Sequence, residues 1–222
     1  MKLVCLIPAR TNSKRLKNKN FLNFNGKSLL EWSLIFSKKV KNFDRIICST
    51  DNVKIFKLRK KYPDIIFLKR PKKIAKDDTP MSSVIRHATN YLREKGENYD
   101  AVALLQPTSP LRKVSTIRKS ILKFKKDSPD YLASVKKLDH VCSPNMIISK
   151  KNKRFIQNKN FDIHKNKGEK YFHLDGGVIF IFKLPSKNYR LNGKGAFVEV
   201  KFPESIDIND KKDLIIAKKF FK

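Results

Sequence analysis

Glycine and cysteine are scarce in this chain, and acidic residues are outnumbered. Seven glycines in 222 residues, none of them between Pro8 and Asn25, leave no glycine-rich phosphate loop and no dinucleotide fingerprint after the first apolar run. Three cysteines, Cys5, Cys48 and Cys142, are too few and too scattered for a disulfide framework or a zinc site. Cys5 and Cys48 sit inside apolar runs and read as small buried hydrophobes in a reducing compartment. No apolar stretch approaches the ~20 residues of a membrane span. The run from Leu3 to Ala9 is too short for a signal peptide and leads directly into a basic segment. The expectation is a cytoplasmic protein without a membrane partner.

What the chain has in excess is positive charge. Fifty-one Lys and Arg face 20 Asp and Glu, for a net charge of +31. Forty of the 51 are lysine, and Ile (21) and Asn (17) are also abundant while Ala (8) is rare. Lys, Asn and Ile rising together reads as codon bias on solvent-facing positions; a polyanion partner is the competing reading. A basic nucleic-acid-binding protein without catalysis rests on that charge alone. No zinc-finger or RNP pattern accompanies it, and aromatics are not interleaved with the basic residues. The length and the 40% hydrophobic content predict one globular domain spanning 1–222.

Strand and helix signals alternate over the first 136 residues. Leu3 to Ile7 is a continuous apolar run stopped by Pro8, as a strand buried on both faces would be. Further strands are predicted at 45–48, 64–68, 101–105 and 132–135. Leu29, Trp32, Phe36 and Val40 recur at helical spacing, with Ser28 and Glu31 placed as a capping box. A helix is expected near 52–62, capped by Asp51 and ended by Pro63. Another is expected after Thr79, with Pro80 at its first position, and a third carries Val114, Ile117, Ile121 and Phe124. This rhythm predicts an α/β protein, a mostly parallel sheet with helices on both faces, whose ligands bind beyond the strands' carboxyl ends. From about residue 139 the rhythm breaks, and the Lys- and Asn-rich stretch 150–170 reads as an extended or hairpin-like excursion. A reversed strand near 178–182, a strand at 197–200 and a helix at 209–221 complete the expectation.

Three segments carry the candidate chemistry. The loop from Pro8 to Asn20 follows the first strand and holds Arg10, Lys14, Arg15, Lys17 and Lys19 with no acidic residue before Glu31. Such a loop suits a polyphosphate, or is simply a solvated basic loop. Gln106-Pro107-Thr108-Ser109-Pro110-Leu111-Arg112 follows the fourth strand; its prolines make a rigid turn, and its remaining residues are dense in hydrogen-bonding groups. Ser205 to Asp213 places Asp207, Asn209, Asp210 and Asp213 at a helix start, where carboxylates either cap the helix or hold Mg²⁺ beside a phosphate.

Taken together, Ile7-Pro8-Ala9-Arg10, Asn12-Ser13-Lys14, Lys17-Asn18-Lys19-Asn20, Leu68-Lys69-Arg70-Pro71, Asp78-Thr79, Gln106 to Arg112 and Ser205-Ile206-Asp207-Ile208 resemble the acylneuraminate cytidylyltransferases, or CMP-sialic acid synthetases, including members that act on legionaminic and pseudaminic acids. The order and spacing match over 3–136 and again over 174–214. The resemblance implies a Rossmann-like three-layer α/β/α nucleotidyltransferase. It implies transfer of CMP from CTP to the anomeric hydroxyl of a 2-keto-3-deoxy sugar acid, with pyrophosphate released and Mg²⁺ as cofactor. It assigns Arg10, Lys19, Gln106 and Asp207 to catalysis. Ala9, Arg10, Ser13, Asn20, Arg70 and Ser82 go to the nucleotide, Gln106, Thr108, His173 and Gly176 to the sugar, and Asp207 and Asn209 to the metal. It also implies a homodimer, with 139–172 as a dimerisation arm near the sugar pocket, and no specific nucleic acid.

Two departures from the family pattern stand out. Asn209 replaces a second aspartate, so the metal site loses one negative charge, Asp210 is a possible replacement, and an inactive relative becomes an alternative. Gly176-Gly177 replaces Asn-Gly, and the expected arginine upstream has no match. Lys165, Lys167 and His173 are the candidates for the sugar carboxylate, although His173 taken alone is as readily structural.

Overall fold

The computed structural model describes residues 1–13, 15–138, 148–151, 154–157, 172–175, 177–186, 189, 191 and 193–221. The chain opens with β1 (Leu3–Pro8), a short hairpin of β2 (Asn23–Phe24) and β3 (Lys27–Ser28), and α1 (Leu29–Lys39). β4 (Arg45–Thr50), β5 (Ile65–Lys69), α2 (Met81–Glu94), β6 (Ala101–Leu104) and α3 (Val114–Asp127) follow. Then come β7 (Tyr131–Lys137), the hairpin of β8 (Ile148–Lys151) and β9 (Arg154–Gln157), β10 (Phe172–Leu174), β11 (Phe180–Lys183), β12 (Gly195–Glu199) and α4 (Lys211–Phe220).

The main sheet runs β10-β7-β11-β6-β1-β4-β5, with β12 paired to β7. β6, β1, β4 and β5 are mutually parallel, and β12 is parallel to β7. Two strands are reversed, where one was expected: β11 runs antiparallel to β6 and β7, and β10 antiparallel to the far end of β7. Every residue of β1 is buried. Leu3, Cys5 and Ile7 pack with Leu30 and Leu34 of α1 and Ile117 and Ile121 of α3. Val4 and Leu6 face the other way, onto Val84, Ile85, Ala88 and Leu92 of α2. Alternate residues of one strand thus feed two cores, which explains its unbroken apolar run. Each such fully buried Leu or Ile contributes roughly 1.5–3 kcal/mol.

Ser28 caps α1 by accepting from Glu31 N, but Glu31 does not reach back. Its carboxylate accepts instead from Lys61 Nζ at 2.6 Å and Tyr62 Oη at 3.0 Å. The helix expected near 52–62 is a 3₁₀ segment, Val53–Lys60, with no buried residue, and its cap is Asn52 rather than Asp51. Asp51 is otherwise engaged: its Oδ1 accepts from Thr11 N at 2.7 Å. Pro80 occupies the N-cap position of α2, one residue before the position expected for it, with no side-chain capping bond. At the chain's end a small third core joins Phe24, Leu29, Ile208 and Ala217. There Phe221 packs edge-on against Phe24 and Trp32.

Candidate active site

The candidate residues gather where β1, β4, β5 and β6 end. Ala9 N donates to Ser49 O, extending the β1–β4 ladder, and Ala9 itself is buried. The basic loop leaves from there toward a cavity of about 230 Å³ lined by Arg10, Ser13, Lys19, Asn20, Arg70, Gln106 and Thr108 among others. Four cationic side chains, Arg10, Lys19, Arg70 and Lys76, face one carboxylate, Asp77, in that lining. Ser82 is not part of it; Met81 and Val84 represent α2 instead.

The cations are held by different means. Arg10 forms an ion pair with Asp77, and its Nη1 is buried without a hydrogen-bond partner among the described residues. Asn20 is buried, and its amide donates to Arg10 O at 3.0 Å, bracing the loop that carries Arg10. Arg70 is 4% exposed and donates to Ser49 Oγ and Ser49 O at 3.1 and 2.8 Å. Burial pushes its pKa down to about 10, with Asp51 opposing, so it stays charged at neutral pH. Lys19 Nζ lies 3.2 Å from Asn209 Oδ1. Burial lowers its pKa, Asp207 opposes this, and the neighbouring Arg15 and Arg10 add to the lowering.

Asp207 is fixed by its neighbours in sequence. Ile206 and Ile208 enter the third core, and Ile208 N donates to Thr108 O at 2.8 Å, tying this loop to the Gln106 turn. The carboxylate between them accepts from Asn209 Nδ2 on Oδ2 at 2.7 Å, while Oδ1 is buried with no hydrogen-bond partner among the described residues. Asp210 is exposed and caps α4 in a reciprocal box with Asp213. It is absent from the lining of the cavity that Asp207 borders and its carboxylate serves that cap, so it does not replace the missing carboxylate.

Gln106 is held from two sides. Arg112, fully buried, donates from Nη2 to Gln106 O. A Cβ at Gly177 would stand 2.9 Å from Gln106 Cβ, so only glycine leaves room for this side chain. Asp175 fixes that turn by accepting from Gly177 N and Val178 N at 2.8 and 3.1 Å. A second cavity, about 360 Å³, is lined by Asp207 and Asn209 together with Lys136, His173 and Asp175. Gly176, Lys165 and Lys167 lie outside the described residues, as does most of 139–172.

Comparison with known proteins supplies the family. The sequence profile of the family described as Cytidylyltransferase matches residues 4–195. The chain belongs to that family. It is 25% identical over 181 residues to a pseudaminic acid cytidylyltransferase of Campylobacter jejuni, covering 81% of this chain and 78% of that one. It is 31% identical over 121 residues to a CMP-N,N'-diacetyllegionaminic acid synthase of Legionella pneumophila, covering 54% and 52%. Among solved structures, a CMP:2-keto-3-deoxy-manno-octonic acid synthetase complexed with CTP superposes with a TM-score of 0.70. That match covers 99% of this chain and 98% of the other at 14% identity, which establishes the shared fold. The Rossmann-like α/β architecture is therefore that of a nucleotidyltransferase.

In a cytidylyltransferase the implied Mg²⁺ needs hard oxygen donors beside the phosphates. Asp207 Oδ1 is such a donor, buried and unpartnered among the described residues. Asn209 turns its amino group to Asp207 and its oxygen to Lys19. No group of three or more His, Cys, Asp or Glu able to hold a metal occurs among the described residues. The set fits an ion bound by one carboxylate and otherwise by substrate oxygens and water, not an all-protein cage. Asp77 and Lys136 escaped the sequence reading because Arg10, which pairs with Asp77, and His173, opposite Lys136 in the β7–β10 register, are distant in the chain and no local pattern marks either one.

Proposed function

We propose that this cytidylyltransferase transfers CMP from CTP to the anomeric hydroxyl of a 2-keto-3-deoxy sugar acid of the nonulosonic type, releasing pyrophosphate. One arrangement carries the reading: Asn209 accepts from Lys19 of the cavity rich in guanidinium and ammonium groups, and together with Asp207 it lines a second cavity that also holds His173. A triphosphate in the first and a sugar in the second would meet beside Asp207. The names of the relatives, which act on pseudaminic and legionaminic acids, support the same substrate class.

In this reading Arg10, Lys19 and Arg70 neutralise the triphosphate, and Arg10 and Lys19 stabilise the charge that develops on the departing pyrophosphate. Ser13 donates to phosphate or ribose, and Asn20 keeps Arg10 in place. Gln106 and Thr108 orient the sugar over the α-phosphorus, so the catalytic gain is mainly positional. Asp207 would hold Mg²⁺ with Asn209 beside it; when bound, the ion withdraws charge from the phosphate oxygens. The second protomer of a homodimer would cover an apolar groove of about 580 Å³ that exposes Phe172, Leu174 and Phe197. A cytoplasmic location accords with the absence, among the described residues, of any helix long and apolar enough to cross a membrane.

The test is pyrophosphate release with Mg²⁺, crossing CTP, UTP, ATP and GTP with sialic, legionaminic, pseudaminic and Kdo sugars. Turnover with CTP and a nonulosonic acid is expected. No turnover with any sugar acid in either the natural protein or Asn209→Asp would overturn the reading. Activity restored by Asn209→Asp alone would place the fault in the metal site.

A further inference from the structure

The cavity beyond Asp207 contains two basic side chains that the nucleotide reading leaves unused. They are Lys136, at the end of β7, and His173, in β10. The antiparallel register sets them directly opposite each other. Opposed residues project from the same face of a sheet, with Cβ atoms roughly 5 Å apart. Both are exposed, and neither has a hydrogen bond or ion pair to a described residue. Basic side chains placed so can meet an anion that enters the cavity.

The chemistry of the acceptor says what that anion is. In the ring form of a 2-keto sugar acid, the carboxylate and the attacking hydroxyl are borne by the same carbon. A cation that binds the carboxylate must then share a cavity with the group beside the reacting phosphate. Asp207 marks that place, and Lys136 and His173 line the same cavity. Three of the four cations of the neighbouring cavity are engaged elsewhere: Arg10 pairs with Asp77, Lys19 with Asn209, and Arg70 with Ser49. We propose that Lys136, with His173 opposite it, recognises the carboxylate of the sugar acid and so selects acidic over neutral acceptors. This rests on the sugar-acid reading above.

Lys136→Gln tests it with little risk to the fold, because the side chain is exposed. The acceptor KM should rise roughly ten- to hundredfold, the worth of one charge-assisted hydrogen bond, while the KM for CTP stays within about twofold. Lys136→Arg should retain most of the acceptor affinity, and Lys136→Glu should lose more than Lys136→Gln. The decisive arm uses the acceptor carboxamide. The natural protein should discriminate against it, and Lys136→Gln should lose that discrimination, as a double-mutant cycle requires. An unchanged acceptor KM in Lys136→Gln, or discrimination that persists in it, overturns the proposal while leaving the sugar-acid reading intact. No turnover of any sugar acid by the natural protein overturns both.

Discussion

Lys19→Met separates the binding role of this side chain from its cost to the free protein. Without nucleotide, the ammonium is half-buried, its pKa is lowered by burial, and Arg15 and Arg10 repel it while Asp207 attracts it. Its recorded hydrogen bond is the 3.2 Å contact with Asn209 Oδ1. Methionine keeps the apolar stem and removes both the charge and that bond. The lost bond, roughly 1.5–3 kcal/mol for a charged donor, is offset by relief of desolvation and repulsion. The expected net change is within about 1 kcal/mol, or roughly 2–4 °C in Tm for a chain of this size. In the proposed reading, the ammonium gains a phosphate oxygen when CTP binds. Its removal should then weaken Kd by roughly ten- to hundredfold, at about 1.4 kcal/mol per factor of ten. Calorimetric titration with CTP gives Kd, and thermal unfolding with and without CTP gives both stabilities. The pH dependence adds a sign. Because the folded-state pKa lies below the unfolded value, the unfolded chain binds more protons between the two. The natural protein should therefore gain stability relative to Lys19→Met as pH rises through that alkaline window. An unchanged Kd, or a free protein destabilised by far more than a few degrees, would refute the reasoning.

Gly177→Ala should push Gln106 aside, since the added Cβ meets Gln106 Cβ at 2.9 Å; steady-state kinetics should show kcat/KM for the acceptor falling roughly tenfold or more with CTP binding unchanged, at the ~1–3 kcal/mol stability cost typical of overpacking. Phe197→Lys places a charge on the exposed apolar groove; sedimentation should show the proposed dimer dissociating, with the monomer's melting curve little changed. Cys5 and Cys48 are fully buried, burial pushes both thiols up, Cys48 to about 12, and mass spectrometry after treatment of the native protein with a thiol reagent should find both unmodified until the chain unfolds.

The fold was legible wherever burial on two faces forced a residue type. β1 reads as a strand because Leu3 to Ile7 must satisfy two cores, and α1 as a helix because Leu29, Trp32, Phe36 and Val40 recur at helical spacing, the first two entering the third core and the last two the main one. The segment 53–60 misleads for the opposite reason. None of its residues is fully buried; Ile55, Phe56 and Leu58 only lean on the main core, so burial does not select an α-helix over a 3₁₀ one. Asp51 is a poor guide to the cap there because a different loop claims it through Thr11. That Arg10, Lys19, Arg70 and Gln106 share one cavity was legible because strand ends locate ligand loops in this fold class. Asp77 and Lys136 were not, since their significance exists only once Arg10 and His173 are brought beside them. Asn209 shows a third case: its replacement of a carboxylate was visible, but its bridging of Asp207 and Lys19 is a property of the folded loop.

The excess of positive charge and the charge of the site follow different rules. Lys211, Lys212, Lys218 and Lys219 of α4 are exposed, as are Lys2, Lys54, Lys57 and Lys60. Charges of that kind act through solvent and fade beyond ~10 Å at 0.1 M salt. They concentrate anions near the protein without choosing among them. Three cations of the first cavity are each held by an acceptor before any ligand arrives: Asp77 for Arg10, Asn209 for Lys19, Ser49 for Arg70. Holding them costs burial, seen in the lowered pKa of Lys19 and Arg70, but it fixes their directions, so a triphosphate does not have to order them on binding. Selectivity then resides in a few oriented groups, and the surface lysines change the encounter rate rather than the choice of ligand. A polyanion bound by the surface should be released as salt rises, whereas CTP held by the oriented cations should lose far less affinity over the same range.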